Sequence, residues 1–511
     1  MIRDLNNVEQ RNHHVNFVII GGGTVGLIIA KKLVDKNLGK VIVLELGGDK
    51  VSSALKNFPE VVFSRSIYEG AELGRFAGLG GTSARWGGAM IPFLLSDFED
   101  EYQTLIAGVS AYATEIEKIF SLSKGPYVDN DSIEVPNYLT RKAKWPRFSK
   151  RNVASLYSKE LKSNTNLIVY THANVKGFEE LVNDKVSISA ENESGNLFVF
   201  ECDKAIITAG AIESTRMLLE IEEKFRDHHR KSTTGLNFSD HLSVKIAEIK
   251  PIDRTKLNLL IGYRFSKGGS MSNIRFELQQ NSTLRKLLPP HFIHISFDLT
   301  TPGGFGVLRE ILRELQERKF PSIKLFADLF RHLPWILRAI WWRFFKHRLL
   351  YPDEAKLEMH LVFEQHPSSD NRLLLKNKPF SNKKLVEISW GVSQVDRNNL
   401  IKILEYFKSS WKESGIFDYA ETIFLENDEI IQNLEKGGGI FHPTGSTQIR
   451  LSDSLGSVNT DLKIDGFNNL FLVSTSVMKY GGGANPTMTE IMFGLRLVDH
   501  LASLHGVPFK D

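Results

Sequence analysis

The apolar run from Val15 to Ile20 passes directly into Gly21-Gly22-Gly23-Thr24-Val25-Gly26 and then LIIAKKLVDK, so strand, glycine turn and helix follow one another without a spacer. Gly21, Gly23 and Gly26 form G-x-G-x-x-G in the context that gives the pattern meaning. The first glycine allows the tight turn, the second lets a pyrophosphate approach the backbone, and the third packs helix on strand. Helix amides then face the phosphates with a favourable dipole. Val41 to Leu44 supplies a second apolar strand ending at Glu45, 19 residues beyond Gly26. A carboxylate there can accept hydrogen bonds from ribose hydroxyls. The spacing predicts a βαβ dinucleotide site, and the fingerprint by itself fits FAD and NAD alike.

At 511 residues the chain has room for two domains and a site between them. Strand-then-glycine segments recur at Ala205 to Gly210, leading into AIESTRMLLE, and at Leu470 to Val473, followed after a loop by MTEIMFGLRLVDHL. Both are expected to return to the first sheet. Between them, runs such as Lys356 to Glu364 and Val386 to Trp390 alternate apolar and polar residues, as a sheet with one exposed face requires. The expected fold is α/β: a discontinuous Rossmann-like domain over 14–249 and 437–511, with a sheet-containing substrate domain over 250–436. A net charge of +4 gives no reason to expect nucleic acid as a partner. Cys202 is the single cysteine, which excludes an internal disulfide, a cysteine-ligated zinc or iron–sulfur site and a CxxCH haem attachment. No metal is expected, and redox chemistry falls to an organic cofactor. MIRDLNNVEQRNHH lacks the apolar core of a secretory signal, so a cytoplasmic location is expected. No stretch reaches the ~18 apolar residues of a spanning helix.

A second glycine cluster runs from Gly78 through Leu79, Gly80, Gly81, Thr82, Ser83, Ala84, Arg85 and Trp86 to Gly87 and Gly88. Such density of glycine and small hydroxyl residues suits a backbone pressed against a flat ligand. Here the sequence resembles the glucose-methanol-choline (GMC) oxidoreductases, whose GGTS or GGSS loop lies along the pyrophosphate and isoalloxazine. VIVLELGG ending at Gly48, ITAGAIESTRMLL from Ile207, LNFSDHLS from Leu236, FEQHPSSDNRLLL from Phe363, HPTGS from His442 and GGGANPTMTEIM from Gly481 are similar to that family in the same order. The resemblance implies FAD, held by Gly21, Gly23, Thr24, Gly26, Glu45, Gly80, Gly81, Thr82, Ser83, Val175, Ala209, Gly210, Ser474, Asn485, Pro486 and Thr487. Where some members attach flavin through a loop histidine this chain has Ala84 and Arg85, so the cofactor is expected to be non-covalent. The family's aspartate after the C-terminal strand is Ser474 here, a weaker ribityl partner than a charged one. The TSARWGG loop is closer to the sugar-oxidising branch, which implies a sugar, cyclitol or related polyol as the alcohol substrate.

Alcohol oxidation needs a proton acceptor beside a hydride acceptor, and histidine suits the first task at neutral pH. His442 follows Gly437 to Gly439 and opens His-Pro-Thr-Gly-Ser, a constrained turn that can fix an imidazole; it also matches the family's catalytic histidine. Asn485 precedes Pro486 at an expected helix start, where spacing reads equally as an N-cap. The resemblance makes it the second active-site residue, hydrogen-bonded to the substrate oxygen. That helix would aim its positive end at the flavin. His241 and His366 are read as structural. Oxygen, a quinone or a protein are the candidate electron acceptors. The remaining peculiarity is IKLFADLFRHLPWILRAIWWRFFKHRLL over 323–350, divided by Pro334 and mixing tryptophan and phenylalanine with six Lys or Arg and one Asp. A peripheral membrane contact and an oligomer or lid contact both fit it. Two rival functions are a non-catalytic flavin-binding or membrane-associated scaffold and an NAD-dependent reductase.

Overall fold

The computed structural model describes the chain except residues 53–57, 182–184, 226–231, 298–302, 378–383, 438, 453–454 and 507–511. The middle glycine of the run before His442, Gly438, therefore lies outside the described residues. Strand Asn12–Ile20 sits centrally in an eight-stranded sheet, with Phe17 to Ile20 in parallel register against Val41 to Leu44 on one side and Lys204 to Ile207 on the other. Leu470–Leu472 adds in parallel beside Leu197–Ile207, as its sequence implied. All four residues of Val41–Leu44 are buried, the signature of a sheet covered on both faces. Helices Thr24–Asp35 and Thr487–Ser503 cover one face and cross closely at Gly494, where a Cβ would lie 3.1 Å from Val25 Cγ1.

A seven-stranded sheet forms the second layer, in the order Arg264–Phe265, Met271–Leu278, His291–Phe297, Leu357–Glu364, His241–Pro251 and Ala420–Phe424, with Tyr138–Trp145 pairing Met271–Leu278. The described pairs within it are antiparallel. Ile274, Phe276, Leu278, Ile293, Ile295, Met359 and Leu361 point to a core closed by helix Gln394–Lys412, which starts on a reciprocal Ser393/Asp396 capping box. Alternation then sends Asn273, Arg275, Glu277, His294 and His360 to the opposite face. Of the strands in this sheet, Tyr138–Trp145 lies within the span expected for the first domain and His241–Pro251 begins within it and runs across its end. The domains are thus more interleaved than the expected boundary at 249/250, because pairing partners far apart in sequence recruit these strands. Ile2–Asp4, before that span, pairs with Leu167–Thr171 in the first sheet. Lys384–Ser389 pairs with Arg372–Asn377 and Val61–Phe63 in a separate small sheet.

Candidate functional site

A cleft enclosing about 1430 Å³, its solvent-open mouth included, follows the carboxyl ends of the first sheet's strands. Ligands of open α/β sheets bind in that position. Of the residues singled out in the sequence, Gly21, Gly23, Thr24, Glu45, Gly81, Thr82, Val175, Ala209, Gly210, Thr487 and His442 line it. Gly26, Gly80, Ser83, Ser474 and Pro486 stand behind the wall. A Cβ on Gly26 would fall 2.1 Å from Gly21 O, so only glycine lets the helix seat on the turn. Gly80 N donates to Gly22 O at 2.9 Å, which ties the two glycine clusters together. Ser83 Oγ donates to Gly80 O at 2.5 Å and accepts from Val153 N at 3.0 Å, holding the loop from beneath. Ser474 Oγ accepts from Ser476 N at 3.0 Å and shares a 2.6 Å hydrogen bond with Ser476 Oγ.

The residues fit a dinucleotide. A Cβ built on Gly23 meets nothing within 4 Å, so the glycine leaves open space at the start of helix Thr24–Asp35, where backbone amides point at a ligand. Glu45 lines the cleft while its carboxylate accepts from the amides of Gly22 at 2.8 Å, Gly47 at 2.9 Å and Gly78 at 2.7 Å. Burial raises its pKa and those three donors oppose the rise. The acid expected to meet ribose hydroxyls therefore also fastens three glycine segments around the site.

His442 and Asn485 converge: Asn485 Nδ2 lies 3.4 Å from His442 Nε2. Arg275 decides which way the amide points. Arginine carries only donors, and its Nη2 donates at 2.9 Å to Asn485 Oδ1, so the Asn485 NH₂ must face the imidazole. Nε2 of His442 then presents its lone pair and Nδ1 carries the proton. Burial, His241 and Arg275 together drive the His442 pKa down to about 3, so the ring is neutral over the physiological range. Asn485 does not cap the following helix; that position is held by Pro486, without a side-chain bond. Its amide is engaged by Arg275 instead. The turn bearing His442 is pinned by Asp240, which accepts from Tyr68 Oη and His241 N, both at 2.7 Å, Phe441 N at 2.9 Å and His442 N at 2.8 Å. Burial nevertheless lifts the Asp240 pKa to about 6. His241 packs edge-on to His442, ring centroids 5.5 Å apart, and its Nε2 bonds to Gly482 O at 2.8 Å. Its structural reading thus acquires a place at the site. Asp240, His241 and His442 also lie close enough to hold a cation. With four donors already on Asp240, the trio reads as a protein-bonded buckle.

Arg275, Asp240 and Glu490 were not singled out as site residues from sequence. Glu490 lines the cleft from the first turn of helix Thr487–Ser503, and burial lifts its pKa to about 8. Arg275 is 4% exposed, its guanidinium 3.9 Å from the Phe292 ring centroid, with Nε and Nη1 unpartnered among the described residues. The available signal was the period-two pattern of Asn273, Arg275 and Glu277 against Ile274, Phe276 and Leu278, which marks a polar face opposite the core.

The family model described as GMC oxidoreductase matches residues 367–494, a span that contains both His442 and Asn485. Pyridoxine 4-oxidase from Mesorbium loti is similar in structure with a TM-score of 0.56 at 14% identity, over 95% of this chain and 98% of that one. Aspergillus oryzae RIB40 formate oxidase, in a structure addressing a mutation's effect on FAD modification, gives a TM-score of 0.54 at 14% identity over 98% and 100% of the two chains. Comparison with curated protein sequences gives no match. The segment that matches the GMC oxidoreductase model thus carries the convergent histidine and asparagine, and the fold is shared with these two oxidases along nearly the whole chain.

Proposed function

We propose that the chain oxidises the CH–OH group of an alcohol, a sugar, cyclitol or related polyol, to a carbonyl with non-covalently bound FAD. The observation that carries the reading is the approach of Asn485 Nδ2 to His442 Nε2 beside a cleft lined by the dinucleotide turn. Gly23, Thr24, Glu45, Gly81, Thr82, Val175 and Thr487 would hold the cofactor, which supplies a two-electron hydride acceptor when bound. A substrate hydroxyl entering between the two side chains donates its proton to His442 Nε2 and accepts from Asn485 Nδ2. Arg275 keeps the amide in that orientation. As the proton moves to His442, negative charge builds on the substrate oxygen, and the Asn485 N–H stabilises it. That charge makes the carbinol C–H a better hydride donor.

Oxygen, a quinone or a protein completes the cycle as electron acceptor, and reoxidation in air distinguishes the first from the others. Anaerobic mixing of the flavin-loaded protein with a panel of sugars, cyclitols and simple alcohols tests the reading. At least one compound should bleach the flavin absorbance, and His442→Gln should slow bleaching by roughly 10²–10⁴-fold while retaining flavin. A loaded protein that no alcohol reduces would favour the non-catalytic scaffold.

A further inference from the structure

Residues 323–350 form helix Ile323–Arg331, a turn at His332, helix Leu333–Trp341 with Pro334 in its first turn, and a π-turn over Trp342–Lys346. One side packs inward: Trp335 meets Phe305 edge-on at 6.2 Å, Phe305 meets Phe297 of the second sheet at 4.8 Å, and Trp342 is buried. The other side is equally apolar and bare. Ile323, Phe326 and Phe330, then Leu333, Leu337, Ile340, Trp341, Phe344 and Phe345, recur at helical spacing and are all exposed, Phe330 by 75% and Phe345 by 70%. Phe320, just before the first helix, is 97% exposed. Soluble chains rarely leave so contiguous a patch unpartnered.

Charge selects the partner. The segment holds six Lys or Arg against one Asp, a net +5, while the whole chain is +4, so everything else sums to −1. A two-fold contact with a second copy would set this patch against itself and bring like charges together. Nor does any helix among the described residues have the length and apolarity to cross a bilayer. Short basic helices with an exposed aromatic face instead suit the headgroup layer, where rings enter the acyl boundary and cations meet phosphates. We propose that this face docks the enzyme on an anionic lipid surface, with Phe330, Trp341, Phe344 and Phe345 inserted and Lys324, Arg331, Arg343 and Lys346 at the phosphates. The base of the arm is fastened to the cofactor loop: Gln316 Nε2 donates to Ser83 O at 3.1 Å and Trp86 O at 3.0 Å, and Glu317 pairs with Arg85 at 2.7 Å. A docked arm therefore bears directly on the wall of the flavin cleft.

Co-sedimentation of the full flavin-loaded chain with phosphatidylcholine vesicles, with and without about 30% phosphatidylserine, tests the proposal. Binding should require the anionic lipid and weaken as salt rises. Lys324→Glu with Arg331→Glu should lower the partition coefficient at least about tenfold, from about fivefold per surface cation. Phe344→Ser with Phe345→Ser should lower it by about tenfold or more through lost ring burial. Unchanged flavin absorbance and melting temperature in both variants would show that the fold is intact. The proposal is overturned if the protein stays in the supernatant at low salt, or binds neutral and anionic vesicles alike. It is also overturned if light scattering finds a dimer abolished by these substitutions, which would mean a second copy covers the face.

Discussion

Replacing Arg275 by methionine keeps most of the side-chain volume and removes the only donor that, among the described residues, holds Asn485 Oδ1, a bond of 2.9 Å. Hydrogen bonds to a charged group contribute roughly 1.5–3 kcal/mol, and 1.4 kcal/mol is about a factor of ten. If that orientation energy is expressed in the transition state, anaerobic flavin reduction should slow by about ten- to a hundredfold, because an unheld amide can turn its oxygen toward the substrate oxygen. Glu277 keeps Arg141 as a partner at 2.5 Å, so the variant does not strand a buried carboxylate. A second readout separates this role from generic destabilisation. Burial is the largest cause of the depressed His442 pKa, but Arg275 adds to it, so the His442 pKa should move upward in Arg275→Met when followed by histidine NMR against a His442→Gln reference. Arg275→Lys keeps the charge while losing the fork geometry, and should recover the pKa better than the rate. In a double-mutant cycle, Arg275→Met should cost almost nothing once Asn485 is alanine, since Arg275 acts through that amide. Rate losses that multiply in the double variant, or wild-type reduction by Arg275→Met, would refute the reasoning.

Loss of the proton acceptor in His442→Gln should reduce the rate of flavin reduction by roughly 10²–10⁴-fold with flavin still bound, measured by stopped flow. Gly23→Val should leave the flavin-free chain's melting temperature within a few degrees, because a Cβ there meets no atom within 4 Å, yet it should purify without flavin absorbance. Burial lifts the folded Glu490 pKa from the ordinary 4.5 to about 8, so between those values the folded chain keeps a proton that the unfolded chain releases. Stability therefore falls as pH rises through that window, and Glu490→Gln should melt with the parent in mild acid but above it at alkaline pH in flavin-free protein. Asp240→Ala strips four donors of their acceptor and should destabilise by about 3 kcal/mol or more, read by denaturant unfolding.

The sequence by itself determined what is local. Gly21, Gly23 and Gly26 act within a single turn, and Glu45 follows at the end of the next strand, so spacing alone carries the dinucleotide reading. Pro334 parts the two helices of the basic arm for an equally local reason, its missing N–H. Tertiary structure decided what depends on strands that meet across long stretches of chain. Tyr138–Trp145 reads as part of the first domain until its register with Met271–Leu278 draws it into the second sheet. Asn485 reads equally as a helix cap until Arg275, 210 positions earlier, takes its oxygen. The four donors that converge on Asp240 come from Tyr68, its own neighbour His241 and the turn at Phe441 and His442, an arrangement no window of sequence contains. Backbone propensity and side-chain period act over a few residues, whereas sheet register and loop packing choose partners hundreds of positions away.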